Sequence, residues 1–172
     1  MDISADLTEL GVTSVAVISA GVKSILDIGR TLEVLETLGV PMVVHGADEF
    51  PSFYSRSSGF SAPMRTDSVE QLATMMATKW ALGLQGGISI ANPVPAEDEI
   101  PAAEISALIN RALSECDANG IRGKDISPFL LGRIVELSDG RSLETNIALV
   151  RANARLGAAL AVAYAAQSSA TP

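Results

Sequence analysis

Residues 15–19, Val-Ala-Val-Ile-Ser, form a continuous apolar run of β-branched character, followed at once by the turn Ala20-Gly-Val-Lys-Ser24. Such a run reads as a strand buried on both faces, because the apolar/polar alternation disappears when neither face meets water. Helical spacing then begins at Ile25, with Ile28, Leu32, Leu35 and Leu38 on the same face and Gly39 suited to the C′ position. A buried strand that feeds a helix through a tight turn is the opening of an α/β unit, and it excludes all-helical and all-strand folds.

The same grammar continues downstream. Pro41–His45 reads as a second strand, and Gly86–Ala91 as a third that ends in Asn92-Pro-Val-Pro95, where proline cannot continue a ladder. Ser4 caps a short first helix that ends near Gly11, and Asp67 or Ser68 caps a helix running to about Leu82. After the third strand only helices are predicted: from Pro101 to Asn119-Gly120, from the cap Ser127-Pro128 to Leu137, and from Ser142 to about Ala166. Gly46–Thr66 is a long loop, and loops of that length in compact domains are often functional. The fold expected is α/β, layered α/β/α, with a mostly parallel or mixed sheet, helices on both faces and a C-terminal helical segment. No repeat or linker divides residues 1–172, so a single domain is expected. Three strands make a thin sheet for this class, and the first helix begins abruptly, which together suggest an incomplete version of a larger sheet.

Composition narrows the function. The chain of 172 residues is 48% hydrophobic and 19% charged, which is globular rather than disordered. Its net charge of −8 comes without any basic block, so a phosphate-neutralising nucleic-acid surface is not expected. A small phosphorylated ligand remains compatible, since a pocket needs only local backbone donors and one or two cations. The lone Cys116 cannot make an intrachain disulfide, which suits a reducing compartment. No run approaches the ~20 apolar residues of a membrane span, and Leu156–Ala166 reads as a buried helix. Asp2 and Asp6, with no basic segment, do not resemble a signal peptide.

Lys23 is the residue best placed for chemistry. It follows the C-terminal end of an apolar strand at the opening of a helix, the edge where open α/β sheets bind ligands. Partial desolvation and the neighbouring helix N-terminus would both favour the neutral, nucleophilic amine. Position alone favours the plainer reading of an exposed loop lysine. Asp2 and Asp6 lie a helical turn apart with Ser4 between them, a pattern that fits a hard cation or phosphate, and also simple capping. Asn146 falls in the first turn of the last helix, where an amide can face a pocket or water. His45, the only histidine, ends a strand and cannot form a zinc cluster alone. No Gly-x-Gly-x-x-Gly, Walker sequence or nucleophile elbow is present.

Several segments together resemble the pseudouridine-5′-phosphate glycosidase family, which includes indigoidine synthase A-like proteins. They are residues 2–10 (Asp-Ile-Ser-Ala-Asp-Leu-Thr-Glu-Leu), 19–27 (Ser-Ala-Gly-Val-Lys-Ser-Ile-Leu-Asp) and 48–59 (Asp-Glu-Phe-Pro-Ser-Phe-Tyr-Ser-Arg-Ser-Ser-Gly). Ala91-Asn-Pro-Val-Pro95, Ser127–Leu131 and Gly140–Val150 match as well, in the family's order and across nearly the whole chain. The resemblance implies reversible cleavage of the C–C glycosidic bond of pseudouridine 5′-phosphate, giving uracil and ribose 5-phosphate. It makes Lys23 the amine that forms an imine with ring-opened ribose, Asn146 an active-site amide, Asp6 the metal-site aspartate for manganese held largely through water, and Ser4 a phosphate contact. It further implies a cytoplasmic homotrimer with small-molecule substrates and no membrane or nucleic-acid partner. Family members are longer at the N-terminus, and that part carries a catalytic acidic residue and a second lysine; Lys79 and Lys124 lie outside matching motifs. A truncated, non-catalytic remnant and a related C-glycoside-forming enzyme are the alternatives.

Overall fold

The computed structural model describes residues 5–23 and 26–168. Ser4, Asp2 and Ile25, singled out above, lie outside the described residues. Four parallel strands, β1 (Ala16–Ser19), β2 (Met42–His45), β3 (Arg65–Thr66) and β4 (Ile88–Ala91), form one sheet in the order β1-β4-β2-β3. The sheet thus contains one strand more than the sequence predicts. β3 is too short and polar to carry a period-2 signal; it forms because the Met64 carbonyl accepts the Val44 N–H at 2.8 Å, well across the loop.

The strand pairing also corrects the expectation for β1. It pairs with β4 alone among the described strands, and Val17 remains 38% exposed, so β1 is an edge strand and is not buried on both faces. The two inner strands carry that burial instead, with all four residues of β4 and Met42–Val44 of β2 inside.

The described residues form six α-helices: α1 (Ala5–Val12), α2 (Ile28–Thr37), α3 (Val69–Ala81), α4 (Ala102–Ala118), α5 (Ile126–Leu137) and α6 (Arg141–Ser168). α2 starts three residues later than its apolar spacing suggests. Asp27 takes the N-cap position and its carboxylate accepts the Arg30 N–H at 3.0 Å, which fixes the first turn there. α5 starts just before the expected Ser-Pro pair, leaving Pro128 in the first turn, where no N–H is needed. One face of the sheet meets α1 and α2 through Leu7, Leu10, Leu35 and Met42, and through Val44, Ala91, Ile28 and Leu32. The opposite face, with Val43, Ile88, Ile90 and Ile18, packs against Leu72, Met76, Leu156 and Leu160 of α3 and α6. These are the three layers of the expected α/β/α arrangement. α4 and α5 form a satellite core of their own around Ile105, Ile109, Leu130 and Ile134.

α6 departs furthest from expectation. It runs for 28 residues, and by length and composition Arg141–Gln167 is apolar enough to cross a bilayer, which the shorter run identified in the sequence is not. It is not a buried helix either: only 17% of its most apolar window is inside the protein. Leu149, Leu156 and Leu160 dock it on the fold, while Leu143, Ile147, Val150 and Val162 face outward.

Candidate active site

The carboxyl ends of β1, β4 and β2 lie side by side, because Ser19 pairs with Ala91 and Ala91 with Val44. The residues that leave this edge are therefore neighbours in space: Ala20-Gly-Val-Lys23 from β1, Asn92 from β4 and His45 from β2. Adjacent strands are about 4.8 Å apart, so these chain ends lie within reach of one small ligand. The Asn92 N–H still donates to the Ser19 carbonyl at 2.7 Å, one residue past the named strand, before Pro93 ends the ladder.

The turn that carries Lys23 is tightly fixed. Gly21 has φ +84°, and a Cβ there would overlap the Pro51 carbonyl oxygen and stand 2.8 Å from its carbon. Only glycine satisfies both conditions. Gly21 forms an antiparallel bridge with Ser52, and the Phe53 N–H donates to the Ala20 carbonyl at 3.0 Å. Ala20 is buried with Val94 and Leu149, and Phe53 packs against them. Lys23 itself is half-buried.

The long loop supplies that support. Phe53 adopts φ +68°, a left-handed conformation that is an outlier for a bulky side chain. Its ring stands edge-on to Tyr54, with centroids 4.8 Å apart. Burial pushes the Tyr54 phenol above its usual range. Further along, Glu99 Oε1 accepts both the Ser55 hydroxyl and the Arg56 N–H at 2.8 Å, and the Arg56 guanidinium donates to the Val94 carbonyl at 2.7 Å. The loop after β2 is thereby tied to the segment after β4. The loop's length in the sequence points to function, whereas Glu99 and the Phe53 geometry have no local signal there.

Asn146 is half-buried in the first turns of α6. The helix is held at that end by the Thr145 hydroxyl, which donates to the Asp98 carbonyl at 2.8 Å. Two turns further on, Asn153 accepts from the Asn92 side-chain amide at 3.0 Å, joining α6 to the edge of β4. His45, expected to be a satisfied structural residue, has a buried Nδ1 with no hydrogen-bond partner among the described residues. Asp6 is exposed in the first turn of α1, on the α2 side of the sheet, and Ser4 lies outside the described residues. Among the described residues no three His, Cys, Asp or Glu side chains gather as a metal site.

Lys79 sits elsewhere, and its role is structural. It is buried near the end of α3, and its ammonium donates to the carbonyls of Leu84 at 3.3 Å, Gly86 at 2.7 Å and also Gln85. All three of its N–H donors have acceptors, so its ammonium is committed to backbone carbonyls. Two open clefts lie apart from Lys23, and only the first borders the carboxyl edge, the second reaching the start of β2 at Val40, Pro41 and Met42. One of about 440 Å³ runs between the post-β4 segment and α6, past Glu97, Asp98, Glu144, Arg151 and Arg155. The other, of about 510 Å³, lies between α2 and Phe60, Pro63 and Met64. Neither is lined by Lys23, Asn92 or His45, the residues that end or follow the three strands at the carboxyl edge.

A family model described as indigoidine synthase A like protein matches residues 1–163. A protein of Nocardioides sp. named pseudouridine-5'-phosphate glycosidase is 66% identical over 164 residues, 95% of this chain and 53% of that protein. One of the same name from Deinococcus radiodurans is 62% identical over 96% of this chain and 53% of its own length. Among solved structures, the prealnumycin C-glycosynthase AlnA in complex with ribulose 5-phosphate superimposes with a TM-score of 0.91 at 30% identity, covering 99% of this chain and 56% of that one. An indigoidine synthase A-like protein from Thermotoga maritima superimposes with a TM-score of 0.80 at 37% identity, covering 95% and 53%. The chain spans about half the length of the curated relatives it matches.

Proposed function

The chain belongs to the indigoidine synthase A-like family, and on that premise we propose that it carries the imine-forming half of a pseudouridine-5′-phosphate glycosidase. The observation that supports this reading most directly is Lys23 itself: a half-buried amine on a clamped turn at the carboxyl edge of a parallel sheet. Parallel α/β sheets bind ligands at that edge.

The chemistry requires an amine. A C-glycoside has no leaving oxygen to protonate, so a pair of carboxylates does not suffice. The neutral Lys23 amine bonds to C1′ of the ribose as the ring oxygen leaves that carbon and takes up a proton, which gives a ring-opened sugar joined to Lys23 as a secondary amine. Protonation of the uracil carbon then breaks its bond to C1′, the bonding pair stays with the uracil ring, and the nitrogen lone pair moves into a C1′=N bond, so that the Lys23 iminium forms in this step. Water then adds to the remaining imine and releases ribose 5-phosphate and the free amine. Asn146 offers an amide to the sugar or the base, and Ser4 contacts the phosphate. Asp6, exposed in the first turn of α1, is the carboxylate we assign to manganese that would keep most of its water. When bound, the ion supplies positive charge beside the phosphate. We further propose a cytoplasmic homotrimer; the outward Leu143, Ile147, Val150 and Val162 of α6 are apolar surface that an assembly would cover.

Incubation of the chain with ribose 5-phosphate, reduction with borohydride and peptide mass mapping tests the central claim. An adduct on Lys23 that is lost in Lys23→Ala is the expected result. A wild-type chain that gains no mass would refute imine formation and leave the non-catalytic remnant. The likeness to the C-glycosynthase at a TM-score of 0.91 favours one second reading, C-glycoside synthesis. Turnover of pseudouridine 5′-phosphate set against joining of the sugar phosphate to other carbon nucleophiles separates the two.

A further inference from the structure

The loop segment 50–56 forms a strap between two anchors. At one anchor it grips the Lys23 turn, through the Phe53 N–H on the Ala20 carbonyl at 3.0 Å, the Gly21–Ser52 bridge and the Pro51 carbonyl packed against Gly21. At the other, a single oxygen of Glu99 receives the Ser55 hydroxyl and the Arg56 N–H, each at 2.8 Å, and the Ile100 N–H beside it donates to the Tyr54 carbonyl at 3.0 Å. Phe53 stands between the anchors at φ +68°. A bulky residue persists in that region only where its surroundings over-determine it, and strain of this kind clusters at functional sites.

Beyond the strap, the turn is held by the Leu26 N–H on the Lys23 carbonyl at 2.8 Å and by Val22 against Val44, Phe50 and Ala91. β1 is an edge strand with pairing on one side only, and Gly21 is the residue type with the freest backbone. A lysine side chain adds several rotatable bonds beyond that turn, so any movement of the backbone adds to the freedom the amine already has. Holding an amine in line with a carbonyl carbon accelerates attack by removing orientational freedom before the reaction.

We infer that Glu99 and Phe53 are positioning residues for Lys23: Glu99 latches the strap, and the strained Phe53 transmits that restraint to the Ala20–Lys23 turn. The link between the strap and the turn is a matter of geometry, whereas its effect on reaction rests on the imine reading of Lys23. The latch works through an acceptor oxygen with two donors, so an amide oxygen at the same position serves nearly as well, and removal of the oxygen does not.

The test uses the full chain with Glu99→Ala, Glu99→Gln and the milder Ser55→Ala, which removes one of the two donors. Native-state hydrogen exchange at the Phe53 amide is expected to rise about tenfold in Glu99→Ala, about threefold in Ser55→Ala and less than about twofold in Glu99→Gln. Borohydride trapping of ribose 5-phosphate on Lys23 should slow in the same order at saturating sugar, while the sugar concentration for half-maximal trapping stays unchanged. A purely structural role would instead lower the unfolding midpoint and leave trapping by the folded fraction intact. Unaltered exchange at Phe53 in Glu99→Ala, or a Glu99→Gln variant as impaired as Glu99→Ala, overturns the inference. If the wild-type chain traps no sugar, the imine reading fails, and the exchange comparison still decides whether Glu99 holds the turn. Should Glu99→Ala fail to fold, Ser55→Ala against wild type decides the same question at smaller amplitude.

Discussion

Substitution of Gly21 by alanine should be far more damaging than its single methyl group suggests. Two costs act at once. The φ of +84° is a conformation that a Cβ disfavours by about 1–2 kcal/mol. The methyl would also overlap the Pro51 carbonyl oxygen and lie 2.8 Å from its carbon, closer than real Cβ contacts come. Backbone must give way there, since no flexible side chain is in contact at that distance. Retreat of Pro51 breaks the neighbouring Phe53–Ala20 hydrogen bond, worth a further ~0.5–1.5 kcal/mol. Together these give a destabilisation of roughly 1.5–3.5 kcal/mol, or a melting midpoint lower by roughly 3–14 °C for a chain of this size. Gly39→Ala is the internal control, because Gly39 also has a positive φ, +68°, but no heavy atom lies within 4 Å of its Cβ position. Urea unfolding of both variants, with the m-value checked for constancy, isolates the packing contribution. If Gly21→Ala costs no more than Gly39→Ala, the clamp on the Lys23 turn is not what the geometry implies.

Two further outcomes follow from the packing. Lys79→Met should destabilise the chain by about 3 kcal/mol or more, since it leaves the Leu84, Gln85 and Gly86 carbonyls without their donor; an unchanged urea midpoint would contradict this. The Glu115–Arg133 pair joins α4 to α5, and hydrogen bonding from Arg133 holds the Glu115 carboxyl below its ordinary value of 4.5. Its folded value is depressed, so its contribution is complete above pH 4.5 and is lost as pH falls through that lower folded value. Thermal unfolding of wild type and Glu115→Gln should therefore differ at pH 7 and converge toward pH 3; a constant gap would exclude the linkage.

The elements that sequence alone revealed are those whose own side chains decide their burial. Ile88–Ala91 and Met42–Val44 are apolar because they lie inside, and their runs announce it. Val15–Ser19 has the same composition but ends at the edge, and nothing within a strand reports whether a second neighbour pairs with it. Arg65–Thr66 becomes a strand through bonds across the loop, from the Val44 N–H to the Met64 carbonyl and from the Gly46 N–H to the Thr66 carbonyl. α6 misled in a different way: its many alanines look like core, yet small side chains bury little area, and most of the helix faces outward. At the site, Lys23 was legible because the strand, turn and helix around it are contiguous. Asn146 was legible as a helix-start amide, while the Asn92–Asn153 link spans 61 residues. Glu99 reaches its partners 43 and 44 residues away, and no local pattern encodes such a contact.

Lys23, Lys79 and Lys124 are the lysines of this chain. With the Lys79 nitrogen enclosed by backbone oxygens, it is shielded from reagents whenever the chain is folded. An acylating or aldehyde reagent added to the native protein therefore meets a short roster of amines, and a change in the labelling of one peptide reports directly on the turn after β1. The same enclosure makes Lys79 a built-in sentinel: it becomes modifiable only when the end of α3 opens, so its labelling distinguishes a loosened fold from a reactive site.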